Sequence, residues 1–266
     1  MNDTFDIKRF GLVFKKLIFE KSLNLVGSFV LVALLSWLTY HLNGDMSEGW
    51  RMAQPQSFLL GLMLGGIYWV SVGFNHFSDK TEGYGFLTLP ASHLEKWLSV
   101  VVLTNVFLTA FCLFFRVMDM TYMSYFRTHL NPHLENYKIL YDSAFVMPFW
   151  GDTKGIISQA YIYFWVLTGI MAVGAVYFNK TALVKTMFIF AGTFFLLQFL
   201  NSNVTSFFFQ NDTNTHLFWN SISIKSTGED VDLPQNINQI FTTFFSYILP
   251  IILWLIALVR LREKEM

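Results

Sequence analysis

The polar residues best suited to a defined role in this chain lie in one short segment, residues 77–97. Ser92 and Glu95 have the spacing of a capping box, in which the serine hydroxyl and the glutamate carboxylate satisfy free amide groups at a helix start. Pro90 suits the first turn of such a helix, and Lys96 follows the glutamate. The segment therefore predicts a helix start that carries a charged pair, which is chemistry for holding a contact rather than for breaking a bond.

No sequence pattern in the chain indicates catalysis. His129 and His133 have the i, i+4 spacing of helical metal ligands, but residue 130 is not the glutamate of a zincin motif. The sequence has no Gly-rich phosphate loop followed by Lys-Ser/Thr and no GxSxG nucleophile motif, and Cys112 is the only cysteine. We therefore predict no catalytic residue, no metal site and no cofactor bound by this chain.

The composition indicates a membrane protein. The 266 residues are 54% hydrophobic and only 14% charged, whereas an average soluble domain is about 25% charged. Eighteen Lys and Arg balance 18 Asp and Glu, so the chain has no net basic field that would attract a polyanion. A nucleic acid is therefore not expected among its partners.

Six stretches without Asp, Glu, Lys or Arg are long enough to cross a bilayer. A helix needs about 20 mostly apolar residues to span the hydrocarbon core; the six stretches have 19 to 27 residues, and the next longest has 12. After their polar ends are removed, the predicted spans are about residues 23–41, 57–76, 97–117, 158–178, 184–201 and 240–260. We predict an all-α polytopic membrane protein, with residues 1–266 as one transmembrane domain. Away from the ends of the spans we expect no Asp, Glu, Lys, Arg or His side chain.

The distribution of Lys and Arg predicts the orientation of the bundle. If the amino terminus lies inside, the inner segments hold 12 of these residues and the longer outer segments hold 6. Cytoplasmic loops carry the excess of Lys and Arg, so both termini are predicted to be cytoplasmic. Residues 118–157 and 202–238 then form two long outer segments, which we expect to fold against the bundle because long unstructured loops are uncommon.

Residues 3–21 predict an amphipathic helix that lies in the inner membrane interface. Its apolar residues recur at helical spacing and are Phe10, Val13, Phe14, Leu17 and Ile18. The basic residues available for the opposite side are Lys8, Arg9, Lys15 and Lys16. They would lie near anionic lipid head groups, or they would serve only as a positive anchor that sets the topology; the two interpretations are compatible.

Gly61 and Gly65 in the second span form a GxxxG pattern, which lets two membrane helices approach closely. Glycine is frequent in membrane helices. We therefore interpret the pair as a packing contact within one subunit rather than as a dedicated dimer face.

The residues around the predicted capping box resemble the loop between spans 2 and 3 in the transmembrane subunits of ABC-2 type exporters, in the variant of Bacteroidetes-like permeases. That loop commonly has a Leu-Pro-small-Ser stretch, followed by a helix start with a Lys or Arg. In this chain the corresponding residues are Leu89, Pro90, Ala91, Ser92, Glu95 and Lys96. The order of elements is also similar, although the outer segment between spans 3 and 4 is longer than the family pattern.

The resemblance implies a permease subunit of an exporter in the bacterial cytoplasmic (inner) membrane. ATP and Mg²⁺ would bind to a separate ABC ATPase subunit, which the loop of residues 77–96 would contact as the coupling element. The transport path would form with a second permease copy or a related permease, in contact with membrane lipids. The alternative is a six-span scaffold or interaction protein of an envelope complex that transports nothing.

Overall fold

The structure, a computed structural model, describes most of the helical part of the chain. The described residues are 5–43, 50–74, 91–130, 137–138, 141, 146–147, 156–178, 181–208, 213–215, 221–224, 230–232 and 235–265. The helices are α1 (Ile7–Glu20), α2 (Ser22–Asn43), α3 (Trp50–Phe74), α4 (His93–His129), α5 (Ile156–Tyr177), α6 (Ala182–Phe208), α7 (Gln235–Thr243) and α8 (Leu249–Glu265). A π-helical turn, Phe244–Ile248, joins α7 to α8.

Six helices are long and apolar enough to cross a membrane. They are α2, α3, α4, α5, α6 and the π-helical turn together with α8. This confirms the predicted six-span helical fold, so the chain is a multi-pass membrane protein. The remaining long amphipathic element, α1, precedes the first span and packs mainly against α4.

Helix α3 lies at the centre of the bundle. In the apolar part of α3 that can span the membrane, 67% of the residues are buried. In the corresponding part of α6, 6% of the residues are buried. Helices α2, α4 and α5 pack around α3, and α5 in turn contacts α6 and α8. Phenylalanine side chains fill the contact between α3, α4 and α5, and the fully buried ones include Phe58, Phe107, Phe111, Phe115 and Phe164.

The glycines of α3 allow the neighbouring helices to approach closely. A Cβ atom added at Gly61 would overlap Ser36 of α2 and the ring of Phe111 on α4, and one added at Gly65 would overlap the ring of Phe107. Both glycines therefore accept side chains of the same chain. Membrane helices associate through this kind of close van der Waals packing, because lipid provides no hydrophobic driving force between them.

Helix α4 is much longer than the predicted span. Its 37 residues extend for about 55 Å, whereas the hydrocarbon core is about 30 Å thick. The predicted span ended at residue 117, and residues 118–129, predicted as the beginning of an outer segment, continue the same helix. Buried residues at helical spacing, Asp119, Met123 and Phe126, continue past residue 117, which is why the helix does not end there.

The second outer segment contains a small antiparallel sheet. Its strands are β1 (Thr213–Thr215), β2 (Ser221–Ile224) and β3 (Asp230–Asp232). Thr213 pairs with Ile224, and Ser221 pairs with Asp232. The all-α prediction therefore describes the membrane part of the chain, and the strands are an addition outside the spans.

The π-helical turn has a local cause in the sequence. Pro250 has no amide hydrogen, and its ring crowds the carbonyl four residues earlier, so it disturbs a regular α-helix. Here the Leu249 amide donates to the Phe244 carbonyl, five residues earlier. The wider turn lets the last span continue through the proline as helix.

Candidate functional site at the start of α4

The predicted capping box is present at the start of α4. The Glu95 amide donates to Ser92 Oγ at 3.3 Å, and the Ser92 amide donates to Glu95 Oε2 at 2.9 Å. Each side chain thus satisfies a backbone donor that the first turn of a helix leaves unpaired. The capping-box prediction is confirmed, and α4 begins at His93.

The other carboxylate oxygen of Glu95 connects α4 to α1. The Asp6 amide donates to Glu95 Oε1 at 2.7 Å, and Arg9 Nη2 lies 3.2 Å from the same oxygen. Asp6 is itself the N-cap of α1, because its Oδ1 accepts the Lys8 amide at 2.8 Å. We call these four residues, Asp6, Arg9, Ser92 and Glu95, the Glu95 joint.

Burial explains why the Glu95 joint needs several donors. The Glu95 side chain has no exposed surface, whereas the Arg9 side chain keeps 29% exposure. A buried carboxylate is costly unless a cation and hydrogen-bond donors surround it. Two backbone amides and one guanidinium supply those partners here. The cost of burying Glu95 is therefore offset only while α1 stays docked on α4.

A second contact holds the start of α4 to the last span. Trp97 Nε1 donates to the Trp254 carbonyl of α8 at 3.0 Å. Between the two contacts, Lys96 is fully buried, and its carbonyl accepts a hydrogen bond from Ser99 at 2.6 Å. The first turns of α4 are thus attached to α1 on one side and to α8 on the other.

The coupling-loop residues predicted from the sequence fall into two groups. Leu89 and Pro90 lie outside the described residues. Ala91 is 3% exposed, and Glu95 and Lys96 are fully buried. Within this chain, Glu95 therefore makes an intramolecular contact with α1, and its carboxylate is not on the surface.

The predicted apolar residues of α1 face the bundle, and so does one residue predicted for the polar side. Val13 and Leu17 are buried, and Phe10 and Phe14 are partly buried. The rings of Phe10 and Phe14 stack, with their centroids 6.1 Å apart. The basic residues Lys8 and Lys15 are exposed and lie away from the bundle. Arg9 was predicted for that polar side as well, but it pairs with Glu95. The prediction was wrong for Arg9 because it lies one turn before Val13, on the face that packs against α4. Lys16 pairs with Glu20 at 3.5 Å.

A second polar cluster lies near the opposite end of the bundle. The fully buried Asp119 of α4 accepts hydrogen bonds from the Tyr40 hydroxyl of α2 at 2.8 Å and from Gln54 Nε2 of α3 at 2.9 Å. It also accepts the Met147 amide at 2.7 Å. We call these four residues the Asp119 cluster. Arg116, one turn earlier on α4, donates to the Met147 carbonyl at 2.7 Å, so this part of the outer segment is attached to α4 at both its amide and its carbonyl.

The Asp119 cluster was not predicted from the sequence. We predicted no Asp, Glu, Lys, Arg or His side chain away from the ends of the spans, but the helix of span 3 buries Asp119 two residues beyond the predicted end of the span. The signal was present as the i, i+4 series Phe107, Phe111, Phe115, all fully buried. The next member of that series is Asp119, so the periodicity places it on the same packed face.

The two clusters hold elements of the fold together. Among the described residues, no group of three or more His, Cys, Asp or Glu side chains is placed to hold a metal ion. His129 is described and His133 is not. Each cluster attaches α4 to other elements through a buried carboxylate.

Comparison of the chain with protein-family models, with curated proteins and with solved structures finds no match in any of the three. What the chain does must therefore follow from its own residues and contacts.

Proposed function

We propose that this chain is the transmembrane permease subunit of an ATP-driven exporter of the ABC-2 type in the bacterial cytoplasmic membrane. The observation that supports it best is the Glu95 joint. It ties the interface helix α1 to the first turn of α4, directly after the loop whose residues resemble the coupling loop of that family. A force applied to this loop would therefore reach two elements at once.

Helix α4 is suited to carry such a force across the membrane. From Glu95 to Asp119 it runs 24 residues without interruption, a distance of about 36 Å. Buried carboxylates attach it to α1 at one end and to α2, α3 and the outer segment at the other. A helix held in this way moves as a rigid element, which is how small displacements at one site become rearrangements at another.

The source of energy in this proposal lies in another chain. The sequence has no phosphate-binding loop, so ATP and Mg²⁺ would be bound by a separate ABC ATPase subunit. Two permease chains, identical or related, would enclose the path. Nucleotide-dependent closure of the ATPases shifts the equilibrium between two states of the permease only if the contacts with the coupling loop differ between those states.

The residues of the coupling loop have different roles in this proposal. Leu89, Pro90 and the residues before them contact the ATPase. Ser92, Glu95 and Lys96 set the position of the loop instead, because their side chains are buried within the chain. Glu95 is thus a positioning residue that transmits motion from the loop to α1 and α4.

The direct test is to purify the full chain from its native membrane in several mild detergents and to identify the proteins that accompany it. We expect an ATP-binding subunit with a phosphate loop to be recovered in stoichiometric amount. Its absence in every detergent would contradict the exporter proposal. An envelope protein recovered in its place would favour the scaffold alternative.

A sharper test acts on the Glu95 joint. Glu95→Gln removes the charge that Arg9 pairs with but keeps the shape of the side chain, so we expect ATP hydrolysis by the purified complex to respond several-fold less to substrate or lipid. Lys8→Gln is the matched control, because Lys8 is exposed and its side chain lies on the other side of α1.

Thermal unfolding of both variants shows whether the chain is still folded. If substrate or lipid changes ATP hydrolysis equally in wild type and in folded Glu95→Gln, that result would contradict the assigned role of the Glu95 joint. A scaffold would tolerate the change, provided that it remained folded.

A further inference from the structure

An open groove runs along α2 on the side that faces α3 and α6. Its volume is about 520 Å³, and it extends along α2 from Leu23 to Leu35. The rise of the helix from Leu23 to Leu35 is about 18 Å. This length is close to the thickness of one leaflet, because the whole hydrocarbon core is about 30 Å thick. The groove starts at the end of the bundle where α1 lies, so it opens within a single leaflet.

The floor of the groove at Gly27 is empty. A Cβ atom added at Gly27 would meet nothing within 4 Å, whereas the glycines of α3 accept Ser36 and the rings of Phe107 and Phe111. Leu31, Leu64 and Met187 contribute apolar walls from α2, α3 and α6. No described side chain fills this apolar groove between three spans, so at membrane depth other apolar matter must occupy it.

The length and the apolar lining of the groove match an extended acyl chain. An extended hydrocarbon chain fits, because its carbon atoms keep about 4 Å from their neighbours. The groove therefore suits a single acyl chain.

The end of the groove nearest α1 differs from the rest. Asn24 contributes an exposed polar side chain there, and Lys21 directly precedes α2. At this end of the bundle the described charged side chains are nine Lys or Arg and four Asp or Glu. The local excess of positive charge complements an anionic head group at the level of the membrane surface.

We infer that this groove binds one anionic phospholipid of the leaflet on the α1 side, with an acyl chain between α2, α3 and α6 and its head group beside Asn24 and Lys21. The inference is independent of the proposed transport function, because it rests on the groove and its charged end alone. A bound lipid would fill the gap that keeps the weakly buried α6 apart from α2.

The test uses the full chain in vesicles of phosphatidylcholine and phosphatidylglycerol, with a trace of phosphatidylglycerol that carries a photoactivatable group on one acyl chain. After illumination, mass spectrometry locates the labelled peptides. We expect labelling to concentrate on residues 23–35, 64–68 and 183–187. A phosphatidylcholine probe with the same acyl chain should label these residues several-fold less.

Gly27→Leu places a side chain in the open space of the groove and should reduce labelling by the phosphatidylglycerol probe several-fold; Gly27→Ala should reduce it less. Gly192→Leu is the matched control, because a Cβ atom added at Gly192 on α6 also meets nothing within 4 Å and Gly192 does not line the groove. Its labelling should equal that of wild type.

Three results would overturn the inference. One is equal labelling of wild type and Gly27→Leu, and another is equal labelling by the two lipid probes. The third is efficient disulfide formation between two copies of Gly27→Cys in a Cys112→Ala background, because it would place a second chain, not a lipid, at the groove.

Discussion

Two carboxylates, Glu95 and Asp119, are the residues that organise this membrane protein. Each is fully buried, and each accepts hydrogen bonds from more than one element of the fold. A buried carboxylate without such partners is strongly destabilising, so its presence reports that the partners are held in place. The two residues therefore mark the points where α4 is attached to its neighbours.

Asp119→Asn should destabilise the folded chain. The substitution replaces one carboxylate oxygen, which accepts hydrogen bonds, with an NH₂ group, which donates them. At least one donor from Tyr40, Gln54 or Met147 then has no acceptor. Leaving one buried donor unsatisfied lowers the free energy of unfolding by about 1–3 kcal/mol. We expect a lower midpoint of thermal unfolding in detergent and faster proteolysis near Met147. Tyr40→Phe removes a single donor and should cost about 1 kcal/mol.

The matched control for the Asp119 cluster is Tyr125→Phe. Tyr125 lies on the same helix but is 53% exposed, so the loss of its hydroxyl should leave the unfolding midpoint unchanged. If Asp119→Asn unfolds at the same temperature as wild type, the cluster does not stabilise the outer side of the bundle.

At the scale of elements, the bundle depends on the small residues of α3. Gly61 and Gly65 accept Ser36, Phe111 and Phe107, which come from α2 and α4. This property suits the central position of α3, since small residues let neighbouring helices approach closely. The same residues keep α4 at the distance that the Asp119 cluster requires.

Gly65→Ala should lower the stability of the chain, whereas Gly192→Ala should not. Alanine favours a helix over glycine by about 1 kcal/mol, but a Cβ atom at Gly65 overlaps the buried ring of Phe107, and overpacking costs about 1–3 kcal/mol. At Gly192 the added methyl group meets open space. The midpoints of thermal unfolding of the two variants and of wild type, in the same detergent, measure both effects. A higher midpoint for Gly65→Ala than for wild type would show that the contact between α3 and α4 is not tight.

At the scale of the whole molecule, the chain has two ends of different character. The α1 end carries the Glu95 joint and an excess of described basic side chains, and the other end carries the Asp119 cluster and the extension of α4. The positive-inside rule predicts that the α1 end faces the cytoplasm.

This orientation is testable by cysteine labelling with a membrane-impermeant maleimide. In a Cys112→Ala background, Thr128→Cys on the α4 extension should react in intact cells, whereas Lys15→Cys on α1 should react only after permeabilisation. Both positions are exposed in the structure, so a difference reports sidedness rather than burial. The reverse pattern would contradict the predicted orientation.

Composition and residue spacing were enough to predict the six spans, the amphipathic α1 and the capping box of α4. Each of these depends on composition or spacing within a window of about 20 residues or fewer, because the bilayer demands apolar length and a helix start demands local donors and acceptors. Such features can be read without knowing how the helices pack.

Which polar residues form hydrogen bonds with each other depends on tertiary packing. Glu95 finds Asp6 across 89 residues, and Asp119 finds Tyr40 across 79 and Gln54 across 65. No local pattern selects these partners, since they follow from the packing of α4 against α1, α2 and α3. Arg9 was expected to be a surface charge, but it pairs with the buried carboxylate of Glu95. The reason is that α1 packs against α4 and Arg9 lies on the face of α1 that makes this contact.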